Sequence, residues 1–288
     1  MAADGLRLAL RRVGDQGAVP VVLAHGTFSN MRSCAGLAAF LARQGFAAWM
    51  FDWRGHGASG WPDRPHDFDA VALLDVPAVI ETVTARGGCP DLFWVGHSGG
   101  GLVAAMWMAR FPDLAARHIR GLAMLASQAT HAAAGLRHRL AIHGVDWVLR
   151  GRRTAPGHYL RIGPEPESAL LMRQWCRWNL AASFIGMDGF DYMQPLARLT
   201  APVLALAGAG DRFIAPAGGC RALADAFGGP ATFHLCGKPQ GFLEDYTHNR
   251  IILSRSASLE IWPLVSGWLQ SQPAVLPGTP LARQASSG

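Results

Sequence analysis

Short apolar runs recur along this chain and alternate with stretches whose apolar positions fall three and four residues apart. Val19–Ala24, Phe46–Asp52, Leu92–Val95, Leu122–Ala126, Val203–Ala207 and Thr232–Leu235 are brief and almost uncharged. Such runs predict strands covered on both faces. Helical spacing falls over Ser33–Gln44, Phe68–Ala85, Gly99–Phe111 and Pro216–Phe227. Within the second of these, Pro77 demands a kink or a late start, because it has no N–H to give the preceding turn. A last helix is predicted over Ser256–Leu269, carrying Leu259, Trp262, Leu264, Val265 and Trp268, with Pro263 in its first turn or at a kink. Leu6–Val13 alternates like one more strand. Strands and helices in this alternation predict an α/β domain built on a mostly parallel central sheet flanked by helices.

Between Ser127 and Thr200 the rhythm stops. No strand pattern appears there, and Trp147, Trp175, Trp178, Phe184 and Phe190 stand among arginines and glycines. A stretch that long inside one domain needs structure of its own. The expectation is a helical cap over 128–199, inserted into a body made of 1–127 and 200–270. The tail 271–288, rich in Pro, Ser, Gly and Ala, is expected to be disordered.

Composition narrows the class. Half of the 288 residues are hydrophobic and 16% are charged, which suits one large core and excludes a disordered chain. The net charge of +6 rests almost wholly on arginine, since Lys238 is the sole lysine. Arg137, Arg139, Arg150, Arg152, Arg153 and Arg161 lie in one stretch, read here as a solvated face around the cap and not as a nucleic-acid or membrane patch. Cys34, Cys89, Cys176, Cys220 and Cys236 form no CxxC pair and no zinc spacing, as in reduced, mostly buried thiols. The N-terminus has no secretory pattern and no apolar run is long enough to span a membrane, so the cytoplasm is expected. P-loop, HExxH and EF-hand patterns are missing, and no metal or cofactor is expected.

The chemistry begins at Gly96-His97-Ser98-Gly99-Gly100, directly after one strand and directly before a helix. This is the G-x-S-x-G nucleophile elbow in its strand–turn–helix setting. A serine at the tip of so tight a turn needs small neighbours two before and two after, and Gly96 and Gly100 supply them. Ser98 needs a base, and the base needs an orienting acid. Asp211, in Gly208-Ala-Gly-Asp211-Arg-Phe, lies just past the strand Val203–Ala207, where such sheets present their functional groups. A turn-capping aspartate is the plainer reading of it.

Two histidines follow Asp211 in the chain. His234 falls in a strand-like run, whereas His248 falls in an irregular stretch able to carry an imidazole over the sheet edge, so His248 is the expected base. For the oxyanion, the N–H of Gly99 and that of Thr27 in His25-Gly26-Thr27-Phe28 are the expected donors, with Phe28 as the fallback. Phe28, His97, Trp175 and Trp178 are expected to line the substrate pocket. His25 and His56 are read as structural. Gly55-His-Gly57-Ala-Ser-Gly60 matches a dinucleotide fingerprint in letters, but Trp61-Pro62-Asp63-Arg64-Pro65 behind it cannot open the helix that site requires.

With these residues in hand, the chain resembles the α/β-hydrolase superfamily over about residues 5–270. Phe51-Asp-Trp-Arg-Gly-His-Gly-Ala-Ser59 looks like the loop that follows the fourth strand there. His248-Asn-Arg-Ile-Ile-Leu-Ser-Arg-Ser-Ala-Ser-Leu-Glu260-Ile-Trp-Pro263 is similar to the region around the catalytic histidine of polyhydroxyalkanoate synthases, which again favours His248. Those polymerases carry a cysteine where this chain has Ser98, which turns the expectation from polymer synthesis to hydrolysis. The resemblance implies a Ser98–His248–Asp211 triad cleaving a carboxylic ester through an acyl-enzyme, while Met172, Trp175, Trp178, Phe184 and Met187 in 128–199 lead to the expectation of a small or medium apolar substrate. A thioesterase or acyltransferase would use the same triad, and a non-catalytic binding protein on this fold is the remaining alternative.

Overall fold

The computed structural model describes residues 1–157 and 163–273. Arg161 and most of the tail expected to be disordered therefore lie outside the described residues. The strands are β1 (Leu10–Val13), β2 (Val19–Ala24), β3 (Phe46–Phe51), β4 (Leu92–His97), β5 (Ile119–Leu125), β6 (Thr154–Ala155), β7 (Glu167–Ser168), β8 (Val203–Gly208) and β9 (Ala231–Cys236). Seven of them form one sheet in the order β1-β3-β2-β4-β5-β8-β9. Only β1 runs antiparallel, pairing with β3, while every other pair is parallel. This is the α/β-hydrolase fold.

The central strands are apolar throughout because both faces are covered. Val21 and Leu23 face one core, Val22 and Ala24 the other. The helices are α1 (Ala35–Arg43), α2 (Phe68–Ala70), α3 (Val76–Gly87), α4 (Gly99–Arg110), α5 (Pro112–His118), α6 (Leu136–Leu149), α7 (Ala169–Ala181), α8 (Met193–Leu196), α9 (Ala217–Asp225), α10 (Arg250–Leu253), α11 (Arg255–Leu259) and α12 (Ile261–Ser271). Helices α3 and α4 bury their apolar sides with the Val22 face, and α1, α10, α11 and α12 with the Val21 face.

Both prolines flagged by the sequence are accommodated locally. The helical run that starts at Phe68 widens into a π turn over Val71–Asp75, and α3 restarts with Pro77 in its first turn. The wider turn removes the demand for an N–H at Pro77. The single helix expected over 256–269 is two, broken at Glu260 (φ −125°), so Pro263 falls in the first turn of α12. Strand β5 begins three residues earlier than its apolar run, because Arg120 reaches out to pair with Asp91 at 2.7 Å.

The 128–199 segment connects β5 to β8. Contrary to the strandless expectation it holds the short antiparallel pair β6–β7 as well as α6, α7 and α8. It is tied to the body by buried polar bonds as well as by apolar packing. Gln174 accepts from the Phe68 N–H at 2.8 Å, Gln128 donates to the Ile214 carbonyl at 2.7 Å, and Leu171 and Trp178 join the core. Helix α6 is the least embedded, burying Ile142 and Leu149 while Leu136 and Trp147 stand more than 70% exposed. Arg137, Arg139, Arg150, Arg152 and Arg153 are exposed on and after it, as a solvated face requires. All five cysteines are free and all but Cys89 are buried. No helix among the described residues is long and apolar enough to cross a membrane.

Candidate active site

Ser98 stands at the carboxyl end of β4 with φ +54° and ψ −121°, a backbone conformation that a side-chain-bearing residue adopts only under constraint. The constraint is visible in the contacts. A Cβ at Gly96 would collide with the backbone of Gly100 and Gly101, and one at Gly100 would collide with the carbonyl of Ala24 on β2. The elbow is thus folded onto itself and onto the next strand at backbone distance. Ser98 N–H donates to the Leu125 carbonyl at 2.8 Å, and the Ser127 hydroxyl donates to the Ser98 carbonyl at 2.7 Å, so β5 holds the turn from the other side.

The structure brings Ser98, His248 and Asp211 together from three separate loops. His248 Nε2 lies 2.9 Å from Ser98 Oγ, and His248 Nδ1 lies 2.6 Å from Asp211 Oδ2. With Asp211 accepting, Nδ1 carries the proton and Nε2 presents its lone pair to the serine hydroxyl. Burial would raise the Asp211 carboxyl, but the His248 imidazole and the N–H groups of Ala215 and Ile214 outweigh it and hold the carboxyl below its ordinary value. The Ile214 N–H donates at 3.1 Å to the oxygen His248 does not use. His234 sits on the edge strand β9 opposite Leu206, away from this constellation. Asp188 is engaged with Arg110, and Asp191 accepts the Met193 N–H.

His97 and His25 serve the scaffold. His97 Nε2 donates to the His248 carbonyl at 2.8 Å and fixes the backbone that carries the imidazole. Burial and the neighbouring His248 push His97 down to about 3, so it stays neutral and does not compete as a base. His25 Nδ1 donates to the Gly26 carbonyl, and its Nε2 accepts the Trp53 N–H at 3.1 Å. Burial and His56 push it down to about 3 as well.

The His25–Phe28 loop passes over the elbow so closely that a Cβ at Gly26 would stand 2.9 Å from Ser98 Cβ. The Thr27 methyl approaches the Cα side of Gly99, which brings the two expected oxyanion donors to one place. Phe28, the fallback donor, is otherwise occupied. Its φ is +60°, and its N–H donates at 3.1 Å to Glu167 Oε2, a fully buried carboxylate. Thr27 and Gly99 remain the candidate donors.

Above the triad opens a cavity of about 900 Å³, lined by Ser98, His248, Thr27 and Gly99 below and by Ile142, Val145, Leu149, Met172 and Trp175 of the 128–199 segment above. Phe28 and His97 line it too. Trp178 does not. It lies fully buried against Phe68 and Phe184, with ring centroids 4.9 and 4.7 Å away, and its Nε1 donates to the Ile185 carbonyl. Helical spacing put Trp175 and Trp178 on neighbouring positions of α7, but one faces the cavity and the other the body. Phe184 is core, and Met187 is 44% exposed. Arg152 is the one arginine of the basic stretch that reaches the cavity among the described residues, and no carboxylate lines it.

Ser127, Glu167 and Gln128 were missed from sequence. Ser127 follows a strand end and was therefore findable; Gln128 binds Asn179 and the Ile214 carbonyl, joining the segment to the acid loop. Glu167 carries no motif. The Gly55–Gly60 loop is an anchor: Asp52 accepts from the N–H groups of Met31 and Ala58, and Gly57 (φ +51°) has no room for a Cβ against that carboxylate.

Comparison with known proteins places these features in company. A family model described as serine aminopeptidase, S33, matches residues 17–236. A non-heme chloroperoxidase of Streptomyces lividans is 32% identical over 108 residues, covering 38% of this chain and 37% of that protein. The lysosomal acid lipase/cholesteryl ester hydrolase of Homo sapiens is 29% identical over 141 residues, covering 40% and 34%. The chain matches only about a third of the length of these curated relatives. An esterase from Exiguobacterium antarcticum has the same fold, with a TM-score of 0.69 at 16% identity over 94% of this chain and 98% of that one.

Proposed function

The chain belongs to the α/β-hydrolase family described as serine aminopeptidase, S33, and from that premise we propose that it cleaves carboxylic esters through an acyl-enzyme on Ser98. The observation that carries this reading is His248, with Nε2 at 2.9 Å from the Ser98 hydroxyl and Nδ1 at 2.6 Å from Asp211, on the floor of an apolar cavity. His248 takes the Ser98 proton as Oγ attacks the ester carbonyl. The N–H groups of Thr27 and Gly99 receive the oxyanion, and Asp211 stabilises the imidazolium. His248 then protonates the leaving alcohol, and water repeats the sequence to free the acid.

We propose residues 128–199 as a cap that supplies the pocket roof. Met172, Trp175, Val145 and Leu149 offer surface to an apolar acyl or alcohol group, each buried methylene being worth about 0.8 kcal/mol. A peptide N-terminus is a poorer occupant, because an ammonium group calls for a carboxylate and the cavity presents Arg152 instead. The names of relatives point the same way, two of the three cited being an ester hydrolase and an esterase.

The test is a panel of p-nitrophenyl esters and acyl-CoA thioesters, with and without added alcohols, alongside a fluorophosphonate probe. Ester turnover and probe attachment at Ser98 are expected. Preferential thioester turnover, alcohol-dependent transfer, or labelling elsewhere would overturn the assignment.

A further inference from the structure

A second histidine–carboxylate cluster lies on the far side of the oxyanion loop. His56 follows β3, His66 precedes α2, and Glu167 opens β7 in the 128–199 segment. The side chains of His56 and Glu167 are wholly buried and that of His66 is 5% exposed. His56 Nε2 lies 3.2 Å from Glu167 Oε2, and His66 Nε2 lies 4.0 Å from Glu167 Oε1. Both Nε2 atoms are sealed from water; that of His56 has only the Glu167 carboxylate at ion-pair distance, and that of His66 has no hydrogen-bond partner among the described residues. Buried polar atoms are rarely left so.

The protonation pattern sharpens the anomaly. His56 Nδ1 lies 3.0 Å from the Arg54 carbonyl, so it carries the ring proton and donates it there. In the neutral ring, Nε2 then points a lone pair at a carboxylate. A proton on Nε2 would make an ion pair with Glu167; a metal cation resolves the same conflict and also engages His66 Nε2, which a proton on His56 leaves without a partner. One ligand atom from each of the three residues lies within 4.8 Å of the other two. Around a zinc-like ion, bond lengths of about 2.0–2.2 Å set neighbouring ligand atoms roughly 3.3–3.5 Å apart. His56 and Glu167 already meet that spacing, and His66, at the end of the loop from Trp61, has to move inward.

We infer that His56, His66 and Glu167 form a binding site for one divalent first-row metal ion such as Zn²⁺. Two imidazoles and a carboxylate are an established donor set for it. The outer contacts suit ligation too. The Arg54 carbonyl orients His56, and the N–H groups of Phe28 and Ser168 each hold one Glu167 oxygen, at 3.1 and 2.8 Å. None of the three residues lines the catalytic cavity, so the ion has no path to substrate there and its role is structural. It ties the loop after β3 to the 128–199 segment, and through Glu167 to the Phe28 end of the oxyanion loop.

The experiment uses the full chain. After dialysis against a chelator, the protein is titrated with Zn²⁺ and separately with Co²⁺. The expected result is uptake of one ion per chain, visible d–d bands of Co²⁺ in a low-symmetry site, and a raised Tm that the chelator reverses. His66→Gln and Glu167→Gln are each expected to weaken uptake by more than about 100-fold and to abolish the Tm response. Wild-type protein that takes up no stoichiometric ion, and whose Tm ignores both metal and chelator, overturns the inference without reliance on a variant. Uptake that persists unchanged in both variants also overturns it, by assigning the ion to other histidines.

Discussion

Two histidine–carboxylate clusters flank the loop His25–Phe28, and their difference is instructive. In Ser98–His248–Asp211 the imidazole sits between a carboxylate and a hydroxyl, so each nitrogen has a partner of the right polarity. In His56–His66–Glu167 two imidazoles face one carboxylate, His56 at 3.2 Å, and His66 Nε2 is left without a hydrogen-bond partner among the described residues. The first opens to a cavity of about 900 Å³, and the second is buried. On the functions proposed above, the same residue types serve proton transfer where one member is a hydroxyl facing the cavity, and adhesion where none is.

The comparison breaks most readily at its reactive end. Ser98→Ala is expected to lower kcat on any turned-over ester by about 10⁶-fold, with the Tm within a few degrees of wild type. A variant keeping a tenth of the activity would remove Ser98 from the mechanism. Asp211→Asn keeps the shape but favours the wrong imidazole tautomer, and a loss of roughly 10⁴-fold in kcat is expected. If steady-state kinetics give less than tenfold, another carboxylate orients His248.

At the closed cluster the readout inverts. His56→Gln is expected to cost stability, roughly 3–5 kcal/mol for removing one member of a buried ionic group, while correctly folded molecules keep acylation within tenfold. Urea unfolding and active-site titration separate the two quantities. Intact stability with abolished acylation would make the clusters alike after all.

Smaller effects distinguish scaffold from pocket. His97 is held at about 3 in the folded protein against an ordinary 6.5, so only the unfolded chain takes up its proton in that interval. Its contribution is complete above about pH 6.5 and falls as the pH drops toward 3. His97→Gln should flatten the pH dependence of unfolding free energy between pH 6.5 and 4.5 by up to about 1.4 kcal/mol per pH unit. An unchanged slope would mean that His97 protonates freely in the fold. Last, Trp175→Ala is expected to lower kcat/KM for an octanoate ester about tenfold while changing that for acetate less than twofold. Equal losses on both would take Trp175 out of the acyl pocket.

How much of this was legible beforehand follows from the range of each interaction. The sheet strands announce themselves because β2, β3, β4 and β8 are covered on both faces and cannot tolerate charge. The elbow is legible because its constraint lies within five consecutive residues. Asp211 and His248 are legible by chain order and by the strand ends that precede them. Glu167 is not, since its partners His56 and Phe28 lie 111 and 139 positions away and no spacing rule links an insertion to the loop beneath it. Trp178 was misassigned for a related reason. Periodicity tells which residues share a side of α7, but not that the side turned to the body begins between Trp175 and Trp178. The break at Glu260 escaped because Pro263 alone is compatible with either a kink or a new helix.

The interlock of Gly96 and Gly100 with neighbouring backbone has a consequence for how this molecule can diversify. Behind Ser98 the two glycines meet main chain, and main chain does not mutate. A saturation library at Gly96 or Gly100 should yield inactive or unfolded clones almost without exception, whatever the selection applied. The roof is different, for it is lined by the side-chain-bearing residues Val145, Met172 and Trp175. New substrate ranges will therefore be found by recombining those positions, over a reaction centre that sequence space has almost no way to alter.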